Sequence, residues 1–334
     1  MSTKIAINGF GRIGRAAFKL ALQKEDLEIV ALNDLNDNET LAHLLKYDTV
    51  YGQYAGEVGS TEDDIIVDGK KYPCLAEKDP LKLPWKKLGV DIVIESTGIF
   101  RTKEKASMHL ESGAKHVVIS APAKGGEVET VVMGVNDEIM DKQGVISNAS
   151  CTTNCIAPVV KILHDTFGIK KATMTTIHSY TADQNLVDGA HKDLRRARAA
   201  AQNIIPTTTG AAIATTKTIP ELKGLFDGMA IRVPTPVVSL SDITMLLNKK
   251  ATEEEVNKVL SDAAKEERFR EVLQVTNDPV VSSDLIGNPH ASIVDLSLTK
   301  VVDGDLLKVV SWYDNEWGYS NALVKVCQEF GKKL

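Results

Sequence analysis

Three glycines near the start of the chain constrain its fold more than any other feature. Gly9, Gly11 and Gly14 have the spacing G-x-G-x-x-G. They follow an apolar run, residues 4–8, that reads as a short buried strand, and they precede a predicted helix at about residues 15–22. In a turn between strand and helix, glycines let backbone N–H groups approach a pyrophosphate at the helix N-terminus. The pattern therefore predicts a dinucleotide-binding βαβ unit.

A carboxylate stands where such a unit needs one. The next apolar run, residues 27–32, ends in Asn33 and Asp34. Asp34 lies about 20 residues beyond Gly14, the separation at which an acid binds the adenosine ribose hydroxyls. Aspartate is also common after strands, and the alternative is that Asp34 only caps the segment that follows.

The rest of the first half alternates between strands and helices. Strand-like runs follow at residues 91–95, 116–120, 131–135 and 144–147, with a helix at about 103–111. This alternation predicts a doubly wound parallel sheet, in which ligands bind beyond the carboxyl ends of the strands. Small polar segments at those ends are candidates for the cofactor wall, although such residues are also ordinary in turns: Ser96-Thr97-Gly98, Ser120-Ala121 and Ser147-Asn148.

A cysteine follows the last of these strands, in Ser147-Asn-Ala-Ser-Cys151-Thr-Thr-Asn-Cys155. Ser150 is suited to N-cap a helix, which places Cys151 in the first turn, where unpaired N–H groups and the helix dipole favour a thiolate. Cys151 is therefore a candidate nucleophile, against the alternative of a small buried apolar residue. Cys155 lies one turn later, so a redox pair or metal site is also an option. No second Cys or His pair stands near, and we predict no metal site.

A histidine and an arginine-rich segment stand out in the second half. His178 lies near the end of a predicted strand, residues 171–181, and is suited to activate the thiol, unless it is an ordinary satisfied polar residue. Residues 181–202 lack strand periodicity, which is typical of a functional or interfacial segment. The run Arg195-Arg196-Ala-Arg198 is either a solvated or salt-bridged face or, beside Pro206-Thr-Thr-Thr209-Gly210, part of a phosphate site.

The remaining pattern differs from that of the first half. It predicts strands at residues 229–233, 238–247, 270–276, 292–298 and 306–313. A helix is predicted at 253–266, where a capping box from Thr252 to Glu255 begins it. A last helix at about 319–330 is expected to pack back against the first domain. The predicted fold class is α/β: a doubly wound parallel Rossmann-type domain, residues 1–149 and 316–334, plus an α+β catalytic domain with a mainly antiparallel sheet, residues 150–315.

Composition narrows the class of protein. Of 334 residues, 43% are hydrophobic and 25% charged, as in a soluble globular protein. The four scattered cysteines give no disulfide framework and fit a reducing cytoplasm. A net charge of −6 argues against a nucleic-acid partner. No apolar run approaches the ~20 residues of a membrane span, and the first residues lack a signal-peptide core.

Five motifs together closely resemble the family of phosphorylating glyceraldehyde-3-phosphate dehydrogenases. The resemblance runs from about residue 4 to the end of the chain, and the motifs are Asn8-Gly-Phe-Gly-Arg-Ile-Gly14-Arg, Ser147-Asn-Ala-Ser-Cys151-Thr-Thr-Asn-Cys155, Met174-Thr-Thr-Ile-His178-Ser-Tyr-Thr181, Asp193-Leu-Arg-Arg-Ala-Arg198 and Trp312-Tyr-Asp-Asn315-Glu. The resemblance implies an enzyme of glycolysis and gluconeogenesis that oxidises glyceraldehyde 3-phosphate with NAD and inorganic phosphate. It also implies a homotetramer with residues 181–202 at its centre.

The resemblance also implies roles for individual residues. Cys151 is the nucleophile, which forms a thiohemiacetal and then a thioester, and His178 is the base. Thr181 and Arg232 bind the phosphate of the substrate. The attacking phosphate is held by Ser150, Thr152, Arg196, Thr209 and Gly210. The cofactor is held by Gly9, Gly11, Arg12, Ile13 and Gly14 at the pyrophosphate, Asp34 at the ribose, Lys78 near the adenine, Ser120, and Asn315 at the nicotinamide amide.

One departure and two alternatives accompany the resemblance. Gly189 and Ala190 replace the Leu-Pro pair common in NAD-restricted members, which leaves space near the adenosine ribose, while Asp34 and Leu35 still favour NAD. NADP use is therefore not excluded. The nearest alternative enzyme is erythrose-4-phosphate dehydrogenase, which has the same thiol but needs no bound phosphate. An alternative of another class is a dinucleotide-dependent binding protein that has lost catalysis.

Overall fold

The computed structural model describes residues 2–125, 127–142 and 144–333. The chain forms two compact units. The first runs to Val131, resumes over Glu138–Ala149 and includes the chain from Leu323, while the second comprises Val132–Asp137 and Ser150–Ala322.

The first unit is built on a largely parallel sheet. Its strands are β1 (Thr3–Asn8), β2 (Leu27–Asn33), β3 (Tyr47–Asp48), β4 (Gly52–Gln53), β5 (Val58–Ser60), β6 (Asp64–Val67), β7 (Lys70–Leu75), β8 (Ile92–Glu95), β9 (His116–Ile119), β10 (Glu129–Thr130) and β11 (Val145–Ser147). Its helices are α1 (Arg12–Ala21), α2 (Asn38–Lys46), α3 (Trp85–Leu88) and α4 (Lys103–Glu111). The main sheet has the order β10-β11-β9-β8-β1-β2-β7-β6-β5, parallel from β10 to β7 and antiparallel from there to β5.

The central strands are buried along almost their whole length, as expected when both faces of a parallel sheet are covered. Ile5 and Ile7 of β1 and Ile92 and Ile94 of β8 have no exposed surface. The predicted parallel sheet is thus confirmed, as is the helix over Lys103–Glu111. Helix α1 begins three residues earlier than predicted, because Gly11 already takes the N-cap position.

The predicted strand over residues 131–135 is wrong. The pairing with β11 comprises Glu129 and Thr130, the Val131 N–H donates one more hydrogen bond to Ser147 O, and the chain then turns. The Asn136 side chain accepts a hydrogen bond from the Val132 N–H at 2.9 Å, and Gly134 has a φ of +77°, which an extended strand does not allow. The apolar run is buried in a turn and not in a sheet.

The second unit is built on a mainly antiparallel sheet, which confirms that prediction. Its strands are β12 (Ile169–Ser179), β13 (Ile205–Thr208), β14 (Phe226–Val233), β15 (Ser239–Leu247), β16 (Leu273–Thr276), β17 (Ser292–Val302) and β18 (Leu306–Tyr313). Its helices are α5 (Cys151–Phe167), α6 (Ala211–Thr218) and α7 (Glu253–Ala263). The sheet order is β13-β14-β12-β15-β18-β17-β16, with parallel pairing only between β12 and β14 and between β16 and β17 among the described residues.

Local signals set several boundaries in this unit. The Thr252–Glu255 capping box at the start of α7 is confirmed. Strand β16 starts only at Leu273, later than predicted, because the preceding residues form helical turns in which the Leu273 N–H donates to Phe269 O. The last helix, α8 (Trp317–Gly331), begins in the second unit and belongs to the first from Leu323 onward. No helix among the described residues is long and apolar enough to cross a membrane.

Candidate active site

The glycine-rich turn between β1 and α1 forms a tight cradle. Gly9 has a φ of +96°, and a Cβ there would lie 2.7 Å from the Thr97 nitrogen. A Cβ on Gly14 would lie 2.1 Å from Gly9 O, whereas a Cβ on Gly11 would meet only open space. No side chain among the described residues caps α1, whose first N–H groups lie at this open position. The cradle therefore suits the pyrophosphate of a dinucleotide.

Asp34 belongs to this cradle. Its carboxylate accepts a hydrogen bond from the Phe10 N–H at 2.7 Å and another from the Asn36 N–H at 3.0 Å. Asp34 therefore does cap the segment that follows, through Asn36, while Asp37 caps α2 through the Thr40 N–H. Asp34 also ties the glycine-rich turn to the end of β2.

The other predicted cofactor residues of the first unit lie outside the tight turn formed by the glycines. The Arg12 guanidinium lies 2.6 Å from Asp48, and Ile13 is the second residue of α1. Lys78 is exposed in the segment after β7, and Ser120 follows β9, where its N–H donates to Glu95 O.

A buried polar network that the sequence did not predict shapes the end of β8. Glu95 accepts hydrogen bonds from the Thr97 N–H at 2.9 Å and from the Asn8 side chain at 2.5 Å. His109 lies 3.1 Å from the same carboxylate and accepts from the Trp85 indole N–H at 3.0 Å. The one signal in the sequence was an acidic residue closing an otherwise apolar strand.

In the second unit, Cys151 and His178 are in contact. Helix α5 begins at Cys151, and Ser150 is its N-cap, with the Thr153 N–H donating to Ser150 Oγ at 3.1 Å. Cys151 is partly exposed at this helix end. The imidazole of His178, near the end of β12, brings Nε2 to 3.4 Å from Cys151 Sγ. The predicted N-cap is confirmed, and the two side chains lie within reach of proton transfer.

Arg232 completes this group. It lies on β14, directly opposite His178 in the parallel pairing with β12. Its Nη1 lies 2.7 Å from His178 Nδ1 and donates to Ser179 O at 2.9 Å. His178 Nδ1 also lies 2.7 Å from Ser179 O. When Nδ1 carries the proton, Nδ1 and Arg232 Nη1 both donate to this carbonyl and the lone pair of Nε2 faces the thiol, whereas in the other tautomer Nδ1 accepts from Nη1 and Nε2–H faces the thiol.

Burial and charge act in opposite directions on this group. Burial raises the pKa of the Cys151 thiol, while the Arg232 charge and hydrogen bonds from Thr152 lower it. Burial and then the Arg232 charge lower the pKa of His178 to about 3. Both shifts favour the neutral thiol and imidazole as separate groups. Transfer of the proton from Sγ to Nε2 leaves the net charge of the pair unchanged, and the start of α5 and Arg232 stabilise the thiolate that results.

Cys155 is different from Cys151. It has no exposed surface, and burial raises its pKa to about 12. The four cysteines are free, so Cys151 and Cys155 form no disulfide. Within the described part of the chain, no three His, Cys, Asp or Glu side chains are grouped as metal ligands would be.

The predicted anion-binding residues fall into two groups. Arg232 Nε is buried without a hydrogen-bond partner among the described residues, whereas Thr181, just after β12, is partly exposed. The Arg196 guanidinium pairs with Asp183 and also donates to Thr207 Oγ1 and Thr208 O, both at 3.0 Å.

The start of α6 offers a second set of donors. Thr209 and Gly210 immediately precede this helix, and the Ala211 N–H donates to Thr209 Oγ1 at 3.2 Å. Helix α6 was not predicted, since the sequence indicated only a loop here.

Tyr313 is a site residue that the sequence analysis missed. Its hydroxyl lies 2.8 Å from Thr152 Oγ1 and 2.8 Å from Thr176 Oγ1, and its ring meets the His178 ring edge-on at 5.9 Å. Tyr313 therefore links α5 to β12 and supports His178 from behind. The motif around Asn315 contains Tyr313 and was the only available signal. Asn315 itself is buried, with Oδ1 accepting from Ser239 Oγ at 2.9 Å.

Comparisons with known proteins agree over the whole chain. Residues 3–103 match the family model described as glyceraldehyde 3-phosphate dehydrogenase, NAD binding domain, and residues 150–315 match the model of the C-terminal domain. The chain is 53% identical to glyceraldehyde-3-phosphate dehydrogenase of Streptomyces coelicolor, with both chains covered completely. It is 53% identical to that of Geobacillus stearothermophilus and 52% identical to glyceraldehyde-3-phosphate dehydrogenase 1 of Bacillus subtilis, in each case over 100% of this chain and 99% of the relative. The chain belongs to the glyceraldehyde-3-phosphate dehydrogenase family, whose cofactor is NAD.

Proposed function

We propose that this protein oxidises glyceraldehyde 3-phosphate with NAD and inorganic phosphate to 1,3-bisphosphoglycerate. The observation that carries the proposal is the 3.4 Å contact between Cys151 Sγ and His178 Nε2, with Arg232 in contact with the other ring nitrogen of His178. A nucleophile, a base and a fixed positive charge are the groups that acyl transfer to phosphate requires.

The proposed reaction begins at Cys151. Its sulfur attacks the aldehyde carbon while His178 Nε2 takes the thiol proton, and the imidazolium returns this proton to the former carbonyl oxygen, which gives a neutral thiohemiacetal and restores the base. His178 then takes the proton of the thiohemiacetal hydroxyl as the carbon is oxidised, and a thioester remains on Cys151. NAD, when bound, supplies the hydride acceptor. The Cys151 backbone N–H, in the first turn of α5, stabilises the developing oxyanion.

Two anions must be bound near Cys151. Arg232, whose Nε has no partner within the described part of the chain, and Thr181 hold the phosphate of the substrate. Thr209 and Gly210 at the start of α6 hold the attacking phosphate together with Ser150 and Thr152. Arg196 is included in this second set because the family resemblance assigns it there. Its hydrogen bond to Thr208 O supports the segment that carries Thr209.

The first unit is the proposed cofactor domain and the second the catalytic domain. The residues proposed to bind the cofactor are the glycines of the cradle with Arg12 and Ile13, Asp34, Lys78, Ser120 and Asn315. The carboxylate of Asp34 repels a 2′-phosphate, which favours NAD. Exposed Gly189 and Ala190 present little bulk, and we propose that NADP is used weakly.

We further propose a homotetramer that works in the cytoplasm. Residues 181–202 and their flank expose large apolar side chains, with Leu186 and Leu194 80% exposed and Val187 and Ile204 72% exposed. Such a patch is typical of a subunit interface. Light scattering should give about four times the 36.3 kDa of one chain, and a monomer at micromolar concentration would contradict the assembly.

One assay tests the activity against its alternatives. NADH formation is followed with glyceraldehyde 3-phosphate, with and without inorganic phosphate, and with erythrose 4-phosphate. The proposal requires turnover that depends on phosphate. Faster phosphate-independent oxidation of erythrose 4-phosphate would favour the related enzyme, and NAD binding without turnover would favour a binding protein.

A further inference from the structure

The backbone is strained where the chain enters β15. Val238 has a φ of +68°, in the left-handed region that β-branched residues rarely adopt, and it is buried. Its carbonyl oxygen accepts a hydrogen bond from Ser179 Oγ at 2.9 Å. Strain of this kind persists where the surrounding structure fixes it, often beside a functional site. Here the residue that follows the strained one is Ser239.

Ser239 connects the strand of the catalytic base to Asn315. Its Oγ accepts a hydrogen bond from the Ser179 N–H at 3.1 Å and donates to Asn315 Oδ1 at 2.9 Å. A serine hydroxyl has a single hydrogen to donate. Because that hydrogen goes to Asn315 Oδ1, the amide of Asn315 is held with its oxygen toward Ser239 and its NH₂ group turned away.

We propose that Ser239 is a positioning residue for the cofactor, which fixes the Asn315 amide so that its NH₂ end is offered to the nicotinamide carboxamide. The inference rests on the proposed function, which assigns Asn315 to that group. A donor selects the carboxamide oxygen over the carboxamide NH₂, so a fixed amide selects one orientation of the nicotinamide. Ser239 thereby acts through Asn315 and needs no contact with NAD.

The chain offers a matched control two residues along the same strand. Ser241 is as buried as Ser239, but its Oγ has no nitrogen or oxygen partner among the described residues and acts only on the Cys155 thiol, whose pKa it lowers. We compare Ser239→Ala with Ser241→Ala by calorimetric titration of NAD. Ser239→Ala should raise the dissociation constant for NAD roughly 3- to 10-fold, the effect of one lost hydrogen bond, and Ser241→Ala less than 2-fold.

A second readout separates positioning from general damage. When Ser239 is replaced, Ser179 Oγ still donates to Val238 O and accepts from the Thr235 hydroxyl. Alkylation of Cys151 by iodoacetamide in the cofactor-free protein should therefore proceed at the parent rate in both variants. Slower alkylation in Ser239→Ala alone would show that Ser239 supports the base, and it would overturn the proposal.

A double-mutant cycle identifies the route of the effect. Ser239→Ala should not weaken NAD binding further in an Asn315→Ala background, since Ser239 acts through that amide. An equal weakening in both backgrounds would overturn the proposal, as would equal NAD affinities for Ser239→Ala and Ser241→Ala. If Ser239→Ala does not fold, Ser239→Gly must reproduce the weakening and Ser239→Thr must keep the parent affinity. A parent without phosphate-dependent turnover would refute the proposed function separately, since binding of NAD is measured without substrate.

Discussion

Replacing Arg232 by Gln should raise the pKa of the Cys151 thiol, because it removes a positive charge that favours the thiolate. The Arg232 charge reaches the sulfur across the 2.7 Å contact with His178 Nδ1, the imidazole ring and the 3.4 Å contact with Sγ. These contacts place the charge and the sulfur about 6–8 Å apart, and at an effective dielectric constant of about 20–40 the interaction is about 1–3 kcal/mol. One unit of pKa corresponds to about 1.4 kcal/mol.

The sign follows from the charge of the reactive form. The thiolate is alkylated and the thiol is not, and a nearby cation favours the thiolate. Loss of Arg232 should therefore move the pH profile of iodoacetamide alkylation to higher pH. Below the midpoint of the parent profile, the rate should fall about tenfold at any given pH. The measurement is the second-order alkylation rate between about pH 5 and pH 11, in protein without cofactor or substrate.

Arg270→Gln is the matched control, because it also removes one positive charge from the second unit. Arg270 is exposed and pairs with Glu267 at the surface, so solvent screens its charge. Its profile should coincide with that of the parent. An unchanged profile, or one moved to lower pH, would mean that the loss of Arg232 acts mainly by raising the pKa of His178, whose imidazolium favours the thiolate, and the direct effect given to Arg232 on Cys151 would be wrong.

Five further substitutions test the site and the fold. Cys151→Ser should abolish turnover and leave NAD affinity nearly intact. Cys155→Ser should lose much less activity, because it changes a buried thiol with a pKa of about 12. If both variants folded and were equally inactive, the assignment of Cys151 as the single nucleophile would be wrong. Asp34→Ala should weaken NAD binding and improve turnover with NADP, already detectable in the parent, and a mutant inactive with NADP would contradict this account of selectivity. Thr209→Ala should slow steady-state turnover far more than single-turnover hydride transfer in a stopped-flow assay, and equal slowing would remove Thr209 from the attacking-phosphate site. Gly113→Ala should lower the free energy of unfolding by about 2 kcal/mol. The φ angle of Gly113 is +109°, and the new Cβ would lie 2.4 Å from Lys86 Cβ. An unchanged midpoint of urea unfolding would show that this turn relaxes without cost.

The sequence was most informative where a structure is made of neighbours along the chain. The strand, the glycines and α1 follow one another directly, and Ser150 caps α5 through a residue three positions away. The capping box of α7 is equally short. Hydrogen bonds of this range form from a few adjacent residues, so their residue types are enough to predict them.

The apolar pattern alone gave a wrong prediction where a buried strand and a buried turn would both bury the same residues. Residues 131–135 have the composition of a strand, yet they form a turn held by Asn136. Conversely, β13 and α6 surround Thr209 and Gly210, where the sequence indicated only a phosphate-binding loop. A run of apolar side chains predicts that a segment is buried. Whether that segment becomes a strand depends on pairing partners elsewhere in the chain.

The family and the identities of Cys151 and His178 as candidates could be read from sequence motifs, but the arrangement of the site could not. His178 and Arg232 are 54 positions apart and meet because β12 and β14 pair in parallel and in register. Ser239 and Asn315 are 76 positions apart and meet where a strained residue opens β15. The register between distant strands depends on the packing of the whole unit, and a shift of one residue would turn Arg232 to the other face of the sheet. The sequence by itself thus determined the chemical groups and their local helices and turns, while only the tertiary structure decided which of those groups touch, because contacts between distant strands are fixed by the free energy of the complete core.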